Sequence, residues 1–505
     1  MQKKKEIWLL KTGLKQHILL VISIIELVIT FFTFSIYNYA SEQIGFNIDE
    51  IVFHMHLPLE GTGGNLLSGY WIKHRLVIVI SFCVLIGIIA IHCVWTKHGA
   101  YLKLRNLLCL CGFMISTSLL FGGIGGLAIS LGVPTYIKQQ LTPSGFIEDN
   151  YKDPQKVEIE FPKKKRNLIW IYMESMESTF ISKEEGGAMK ENLLPEMTKL
   201  AKENINFSES SQVGGATASQ GTDWTTGALF AQTCGLPMKL PIGHGDVGEY
   251  EKFAPGAEAV GDILEKEGYY QKFIMGSDAE FGGRKSYLKK HGSYQLYDYN
   301  TAIQNGDISK NYYVWWGFED QKLYGFAKRE LQKAADQKQP FAVSLLTVDT
   351  HFSNGYFCKQ CQHKHDSEYQ DVLNCASRQV ADFISWIQKQ DFYDNTTIVI
   401  TGDHPTMDKS FIGEYYDGSK ARKVYNCIIN ALIKTNYEKN RKFNTFDFYP
   451  TVIAALGARI DGNRLGLGTN LFSGEKTLAE KYGYDKIDTE FAKKSTFYNE
   501  YIWEE

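Results

Sequence analysis

The sequence has almost no net charge to offer a polyanion. Its 54 Lys and Arg against 57 Asp and Glu leave −3, and neither a zinc-finger spacing nor a basic helix stands in for the missing positive field, so nucleic acid is excluded as a partner. Cysteine is also sparse. Nine in 505 residues cannot frame a disulfide scaffold, and Cys83, Cys93, Cys109 and Cys111 lie in apolar stretches where thiols are inert. Disorder is excluded by what is abundant, with 44% hydrophobic and 13% aromatic residues, and the length asks for more than one structural unit.

Long apolar runs are missing from most of the chain and crowd into its first 133 residues. Residues 18–40, 76–96 and 107–133 each hold about twenty residues nearly free of charge, enough to cross ~30 Å of hydrocarbon as helix. The reading is a membrane anchor over 1–133 with three transmembrane helices. A cleaved signal peptide is the alternative for the first, but its run is too long and no small-residue cleavage site follows. Lys3, Lys4, Lys5, Lys11 and Lys15 precede the first span, and Lys97, Lys103 and Arg105 separate the second and third. Both segments are therefore expected in the cytoplasm. The loop 41–75 is basic only at its end, at Lys73 and Arg75, and with three spans everything after residue 133 is expected outside the cytoplasm. Apolar pieces of that loop, Ile51-Val52-Phe53 and Leu57-Pro58-Leu59-Glu60-Gly61, fit either the bilayer surface or ordinary loop packing. Residues 134–166, proline-punctuated and ending in Lys163-Lys164-Lys165-Arg166, read as a linker.

From Asn167 strands and helices alternate. Strand patterns cover 167–173, 269–275, 341–348 and 396–402, and helical patterns cover 191–203, 223–233, 256–267, 316–336, 370–389 and 447–456. This is an α/β fold with a largely parallel sheet. The stretch Thr396-Thr397-Ile398-Val399-Ile400-Thr401-Gly402-Asp403-His404-Pro405 runs six β-prone residues into a glycine and delivers a carboxylate and an imidazole at a strand's C-terminal end. Far upstream, Asn167-Leu168-Ile169-Trp170-Ile171-Tyr172-Met173-Glu174 ends likewise on a carboxylate. Two such ends point to one metal site at the mouth of one sheet.

Between them, Gly214 to Thr226 leads into an apolar helix that stops at Gly235-Leu236-Pro237. Thr222 is expected at that helix's N-terminus, where backbone N–H groups favour an anion. Its hydroxyl either caps the helix or, lowered in pKa by a dication, serves as a nucleophile.

The motifs Ile171-Tyr172-Met173-Glu174-Ser175, Gln220-Gly221-Thr222-Asp223 with Cys234-Gly235-Leu236-Pro237, Val348-Asp349-Thr350-His351-Phe352, Thr401-Gly402-Asp403-His404 and Phe446-Asp447-Phe448-Tyr449-Pro450-Thr451 follow one another in order over roughly 165–475. Together they resemble the membrane-anchored phosphoglycerol transferases: the lipoteichoic acid synthases and the enzymes that modify periplasmic glucans, within the sulfatase/alkaline phosphatase superfamily. The resemblance implies a catalytic domain over 167–475 and a charged, aromatic tail over 476–505 with no readable role. It implies that Glu174, Asp403 and His404 hold one divalent cation, manganese or magnesium, with Thr222 as fourth ligand and nucleophile; zinc also fits by chemistry. His351 matches a family histidine beside the phosphoglycerol head group, acting in catalysis and substrate binding. Asp278 and Arg284, in Gly276-Ser277-Asp278-Ala279-Glu280-Phe281-Gly282-Gly283-Arg284, resemble the pair that grips phosphate and glycerol, with the spacing one residue short and Gly282-Gly283 where an aromatic is expected.

The implied reaction moves phosphoglycerol from phosphatidylglycerol to an envelope glycan or teichoic-acid-type acceptor through a threonine intermediate. It takes place at the outer side of a bacterial cytoplasmic membrane, in a multi-pass protein with an extracytoplasmic catalytic domain. Phosphoethanolamine transfer, head-group hydrolysis by the same site and a silent membrane receptor are the alternatives. Sulfate ester hydrolysis is disfavoured, because Cys234-Gly235-Leu236-Pro237-Met238 carries its proline one place late and no arginine follows. Cys358-Lys359-Gln360-Cys361, followed by His363 and His365, can be read as a zinc or redox motif, but in an oxidising compartment a disulfide is favoured over it, within the pair or from one member to Cys375 or Cys234, with Cys427 left unpaired.

Overall fold

The computed structural model describes residues 2–43, 48–57, 65–97, 102–240 and 252–504. They form two compact units, one of Met1–Glu42 with Gly63–Thr135 and one of Gln43–Thr62 with Tyr136–Glu505.

The smaller unit contains three long helices, α1 (Gln2–Gln43), α3 (Asn65–Lys97) and α4 (Leu102–Ser130). Two have stretches long and apolar enough to cross a membrane, His17–Asn38 and Asn106–Ser130; in α3 the apolar stretch among the described residues is His74–Gly87, shorter than a crossing. Leu76, Ile86, Phe121 and Ile129 point outward, where a helix in water would carry charge. Ser116 and Thr117 of α4 donate to the Glu26 carboxylate of α1 at 2.6 and 3.0 Å, which satisfies that acid inside an apolar bundle. The third expected span ends at Ser130 rather than 133, because Gly132 takes a left-handed turn (φ 72°) before a short helix Val133–Gln140 starts. The side chains of Lys3, Lys4, Lys5, Lys11, Lys15, Lys73, Lys97, Lys103, Arg105 and Cys93, together with residues 58–61, lie outside the described residues.

In the larger unit a seven-stranded sheet is built from β1 (Asn167–Met173), β2 (Gly215–Ala216), β3 (Tyr270–Met275), β4 (Gln295–Tyr297), β5 (Phe341–Leu346), β6 (Thr396–Gly402) and β7 (Val424–Ile429), in the order β2-β7-β6-β1-β5-β3-β4. The five strands from β6 to β4 run parallel, and β7 and β2 close one edge antiparallel. The central strands read as unbroken apolar runs because both faces are covered. In β1, Leu168, Trp170 and Tyr172 enter one core while Ile169, Ile171 and Met173 enter the other.

The first face is covered by α6 (Thr225–Cys234), α7 (Val260–Lys266) and α10 (Phe448–Ala455), the second by α5 (Pro195–Glu203), α8 (Asp320–Ala335) and α9 (Glu368–Ile387). The short helix α2 (Ile48–His54), from the loop between the first two long helices, belongs to this unit and buries Phe53 and Leu57 in its first core. Of the apolar pieces named for that loop, Phe53 and Leu57 are thus packed on the protein. Gly402 is required where β6 ends, since a Cβ there would lie 1.9 Å from the carbonyl oxygen of Met176.

Candidate active site

Adjacent parallel strands place their C-terminal ends side by side, and here β1 and β6 pair up to Met173 opposite Gly402. The next residues, Glu174 and Asp403, therefore leave the sheet together, and the Asp403 N–H donates to the Met173 carbonyl at 3.1 Å. Glu174 is turned out of the strand line by Ser175, which sits in the left-handed region (φ 52°) and donates its hydroxyl to Glu174 Oε1 at 2.8 Å. From β5, on the other side of β1, Thr347 Oγ1 accepts the Glu174 N–H at 2.9 Å. Ser175 N–H and His404 N–H both donate to Asp403 Oδ1 at 2.7 Å, which fixes that carboxylate and leaves Oδ2 buried and without a hydrogen bond.

Glu174, Asp403 and His404 are buried, and one ligand atom from each lies within 4.8 Å of the others. His404 Nδ1 is paired with the Pro405 carbonyl at 3.0 Å, so the ring presents Nε2 to the cluster, 3.3 Å from Asp403 Oδ2 and 3.5 Å from Glu174 Oε1. Burial and then the neighbouring Glu174 charge push Asp403 up to about 8; His404, although burial opposes it, is raised to about 9 by Asp403 and Glu174. Two acids and an imidazole with an orphaned carboxylate oxygen among them fit one divalent cation.

The threonine that meets this cluster is not the one singled out from the sequence. Thr222 is fully buried in its own turn: its hydroxyl donates to Ser219 O at 2.9 Å, and accepts from Ser219 N–H at 2.8 Å and from Thr445 Oγ1 at 3.2 Å. Helix α6 starts three residues later, because Trp224 is extended (φ −139°, ψ 161°) and serves as its N-cap. Thr225, at the first helical position, has its hydroxyl 3.4 Å from Glu174 Oε2 and 3.3 Å from His404 Nε2. A helix N-terminus leaves its first N–H groups without intrahelical partners, and α6 begins at this threonine. Only the Thr225-Thr226-Gly227 sequence, small residues at the head of an apolar helix, could have signalled this.

His351, in the segment after β5, is half-buried against Trp316 with ring centroids 4.7 Å apart, and its Nδ1 meets the Phe352 carbonyl at 2.9 Å. Burial lowers its pKa, opposed by the Glu174 charge, so the ring is held neutral. Arg284 is buried and donates to the carbonyls of Asp278 and Phe281, each at 2.8 Å. Burial lowers its pKa to about 10, while the acids Glu174, Asp278, Asp298 and Asp403 favour its charged form. The left-handed Gly282 and Gly283 (φ 66° and 69°) fold this turn so that the guanidinium lies 5.3 Å from the Phe281 ring, which supplies the aromatic missing next to the arginine. The Asp278 side chain is half-buried and occupied by Asn300 and the Glu280 N–H, both at 2.9 Å, so it supports the turn.

Sequence reasoning missed α2 as part of this site. Asp49 Oδ2 accepts from Gln220 Nε2 at 2.5 Å, the Phe53 ring lies 6.2 Å from that of Trp224, and the His54 ring stacks on Phe281 at 5.9 Å. Burial, with the charge of Asp223, pushes Glu50 up to about 8, and His404 opposes that rise. Cys234 sits at the far end of α6 from Thr225, 3.2 Å from the Tyr287 hydroxyl, well away from a position where it could replace the threonine. Cys427 is buried in β7, its thiol 3.5 Å from the Leu200 carbonyl.

The comparisons agree with this architecture. Phosphoglycerol transferase I of Escherichia coli (strain K12) is 29% identical over 348 residues, covering 66% of this chain and 43% of the relative. Phosphoglycerol transferase I of Salmonella choleraesuis (strain SC-B67) is 29% identical over 341 residues, covering 66% and 42%. The chain thus spans about two fifths of the length of these curated relatives. Among solved structures, the lipoteichoic acid synthase LtaP from Listeria monocytogenes superposes with a TM-score of 0.50 at 17% identity over 66% of this chain and 82% of that one, a likeness of fold. A family model described as Sulfatase matches residues 166–458, from the residue before β1 to beyond α10. With more than half its length inside that match, and the Glu174, Asp403 and His404 cluster within it, the chain belongs to the sulfatase family.

Proposed function

We propose that this protein transfers phosphoglycerol from phosphatidylglycerol to a hydroxyl of an envelope glycan or a growing teichoic-acid-type polymer, with Thr225 as the nucleophile. The observation that carries the reading is the Thr225 hydroxyl at the head of α6, within 3.4 Å of both Glu174 and His404. The likeness to the phosphoglycerol transferases of Escherichia coli and Salmonella choleraesuis supports the substrate class.

Glu174, Asp403 and His404 would hold a hard divalent cation, manganese or magnesium, which supplies Lewis-acid stabilisation of the phosphoryl charge. Thr225 Oγ attacks phosphorus, an O–P bond forms, and the P–O bond to diacylglycerol breaks. The hydroxyl proton ends on the diacylglycerol oxygen, with the neutral His351 ring as relay. In the second half the acceptor hydroxyl attacks phosphorus, the Thr225–phosphorus bond breaks, and the proton returns to Thr225. Arg284, anchored through two backbone carbonyls, offers a fixed positive charge to the phosphate. The first-turn amides of α6 add donors that need no reorganisation. Thr222 keeps the turn that aims Thr225.

The setting fits a lipid donor. Helices α1 and α4 with α3 anchor the chain as a multi-pass protein of the bacterial cytoplasmic membrane, with the catalytic unit on the extracytoplasmic side. Confinement to the membrane plane then raises the effective donor concentration.

Full-length protein incubated with manganese and head-group-labelled phosphatidylglycerol is expected to yield a glycerophosphate adduct on the peptide containing Thr225, and Thr225→Ala to lose transfer by about a thousandfold or more. Adduct formation on Thr222, or a phosphoethanolamine mass from mixed lipids, overturns the corresponding part of the reading.

A further inference from the structure

The segment that carries His351 continues to Cys358 and Cys361, and these two thiols meet Cys375 of α9. Cys358 Sγ lies 3.6 Å from Cys361 Sγ and 3.7 Å from Cys375 Sγ, and all three sulfurs fall within 4.8 Å of one another. A zinc–sulfur bond of about 2.3 Å sets the edge of a tetrahedron at about 3.8 Å, whereas a disulfide closes its sulfurs to about 2.05 Å. The two separations from Cys358 match tetrahedral edges and exceed a disulfide bond.

The surroundings are those of thiolates. The N–H of Gln360 points at Cys358 Sγ at 3.4 Å and the N–H of Cys358 at Cys361 Sγ at 3.3 Å, the tight knuckle a Cys-x-x-Cys loop forms around a metal. The Gln379 amide, one turn along α9 from Cys375, donates to Cys375 Sγ at 3.5 Å and approaches Cys358 Sγ at 3.9 Å. Arg378 ties the loop to the helix, donating to the Gln360 carbonyl at 3.0 Å. Cys358 and Cys375 are buried and Cys361 is half-buried.

We propose that Cys358, Cys361 and Cys375 bind a zinc ion as three thiolates, with a solvent oxygen as the fourth ligand, and that the ion clamps the His351 segment to α9. Binding releases the three thiol protons. The segment is also held by the Tyr356 N–H on the Asp349 carbonyl at 2.6 Å, by the Asn354 N–H on Asp408 Oδ2 at 3.0 Å and, beyond the cysteines, by Lys364 and His365 on the Asp371 carboxylate of α9 at 2.8–3.1 Å. The clamp stands apart from the Glu174, Asp403 and His404 cluster and uses softer ligands.

The test uses the full chain in detergent. Loading with cobalt(II) chloride is expected to produce an intense near-ultraviolet thiolate-to-cobalt band that zinc sulfate abolishes; the carboxylate–imidazole cluster has no sulfur and cannot give it. As purified, the protein is expected to carry one zinc that Cys375→Ser loses, with cleavage in the segment 351–367 about tenfold faster in that variant. Peptide mapping without reduction that finds two of the three cysteines in a disulfide, or wild-type protein with neither zinc nor the cobalt band, overturns the proposal. The wild-type readings need no variant to fold.

Discussion

At the scale of single residues, the cluster holds two carboxylates and an imidazole that repel or pair according to what lies between them. Without a cation the Asp403 charge is opposed by burial and by Glu174. Asp403→Asn removes that repulsion, so the chelated variant is expected to melt no lower than chelated wild type. The variant is also expected to lose the rise in Tm that manganese gives, about 2.7 kcal/mol at a hundredfold excess over Kd. Scanning fluorimetry with chelator and with manganese reads both; a preserved manganese response in Asp403→Asn would show that the ion binds elsewhere. Glu174, Asp403 and His404 were legible in the sequence because each follows an apolar strand, and a strand's end is visible in composition alone. The place of Thr225 beside them was not, since it depends on where α6 begins. That start is decided by the extended backbone of Trp224, a single conformational choice that helix patterning cannot locate to within three residues.

At the scale of elements, the segment leaving β5 is joined to the start of α8 by two buried acids, Asp349 of the segment and Asp320 of the helix. Asp320 accepts the N–H groups of Val348 at 2.7 Å and Asp349 at 3.1 Å, and Asp349 accepts the Asp320 N–H at 3.0 Å. Burial raises Asp320 to about 7 despite those bonds, and burial together with the Asp320 charge raises Asp349 well above the carboxylate range. The folded state then keeps protons that the unfolded chain releases near pH 4. Because the native state binds more protons, stability is greatest below the unfolded pKa and falls as pH rises through about 7, with a slope of up to about 1.4 kcal/mol per pH unit for each retained proton. Asp349→Asn is expected to flatten this dependence, as measured by urea midpoints at about pH 5 and about pH 8. Equal slopes in both proteins would show that the pair is ionised throughout. A second element-level prediction concerns the end of β6. Gly402→Ala places a methyl against the Met176 carbonyl at 1.9 Å and is expected to lower stability by about 1–3 kcal/mol with loss of the metal-dependent Tm rise, read by the same fluorimetry. The strands β1 and β6 have the ends expected from sequence, 167–173 and 396–402, because runs of β-branched residues between turn signals leave little freedom. The two edge strands of the sheet, β2 and β4, went unseen, being only two and three residues long.

At the scale of the whole molecule, the division of labour between anchor and catalytic unit is less clean than hydropathy suggests. A polarity profile places residues 41–75 with the membrane region, yet α2 contributes Phe53, fully buried beside Trp224 and Phe253, to the core behind Thr225. Seven residues with one phenylalanine carry too weak a periodic signal to announce such docking. A protein cut to residues 136–505 would therefore lose more than its tether: the space left by Phe53 and Leu57 opens the wall that supports Trp224. Removing a buried phenylalanine costs about 3–5 kcal/mol, so residues 136–505 are expected to melt below the full chain, and Phe53→Ala in the full chain to share most of that loss. The two proteins separate tether from wall. Phe53→Ala keeps every long helix, so a fall in its transfer rate from phosphatidylglycerol in vesicles measures the wall, and any further fall in 136–505 measures the tether. Should Phe53→Ala match wild type in both Tm and transfer, α2 is a passenger of the loop, and the site is complete without it.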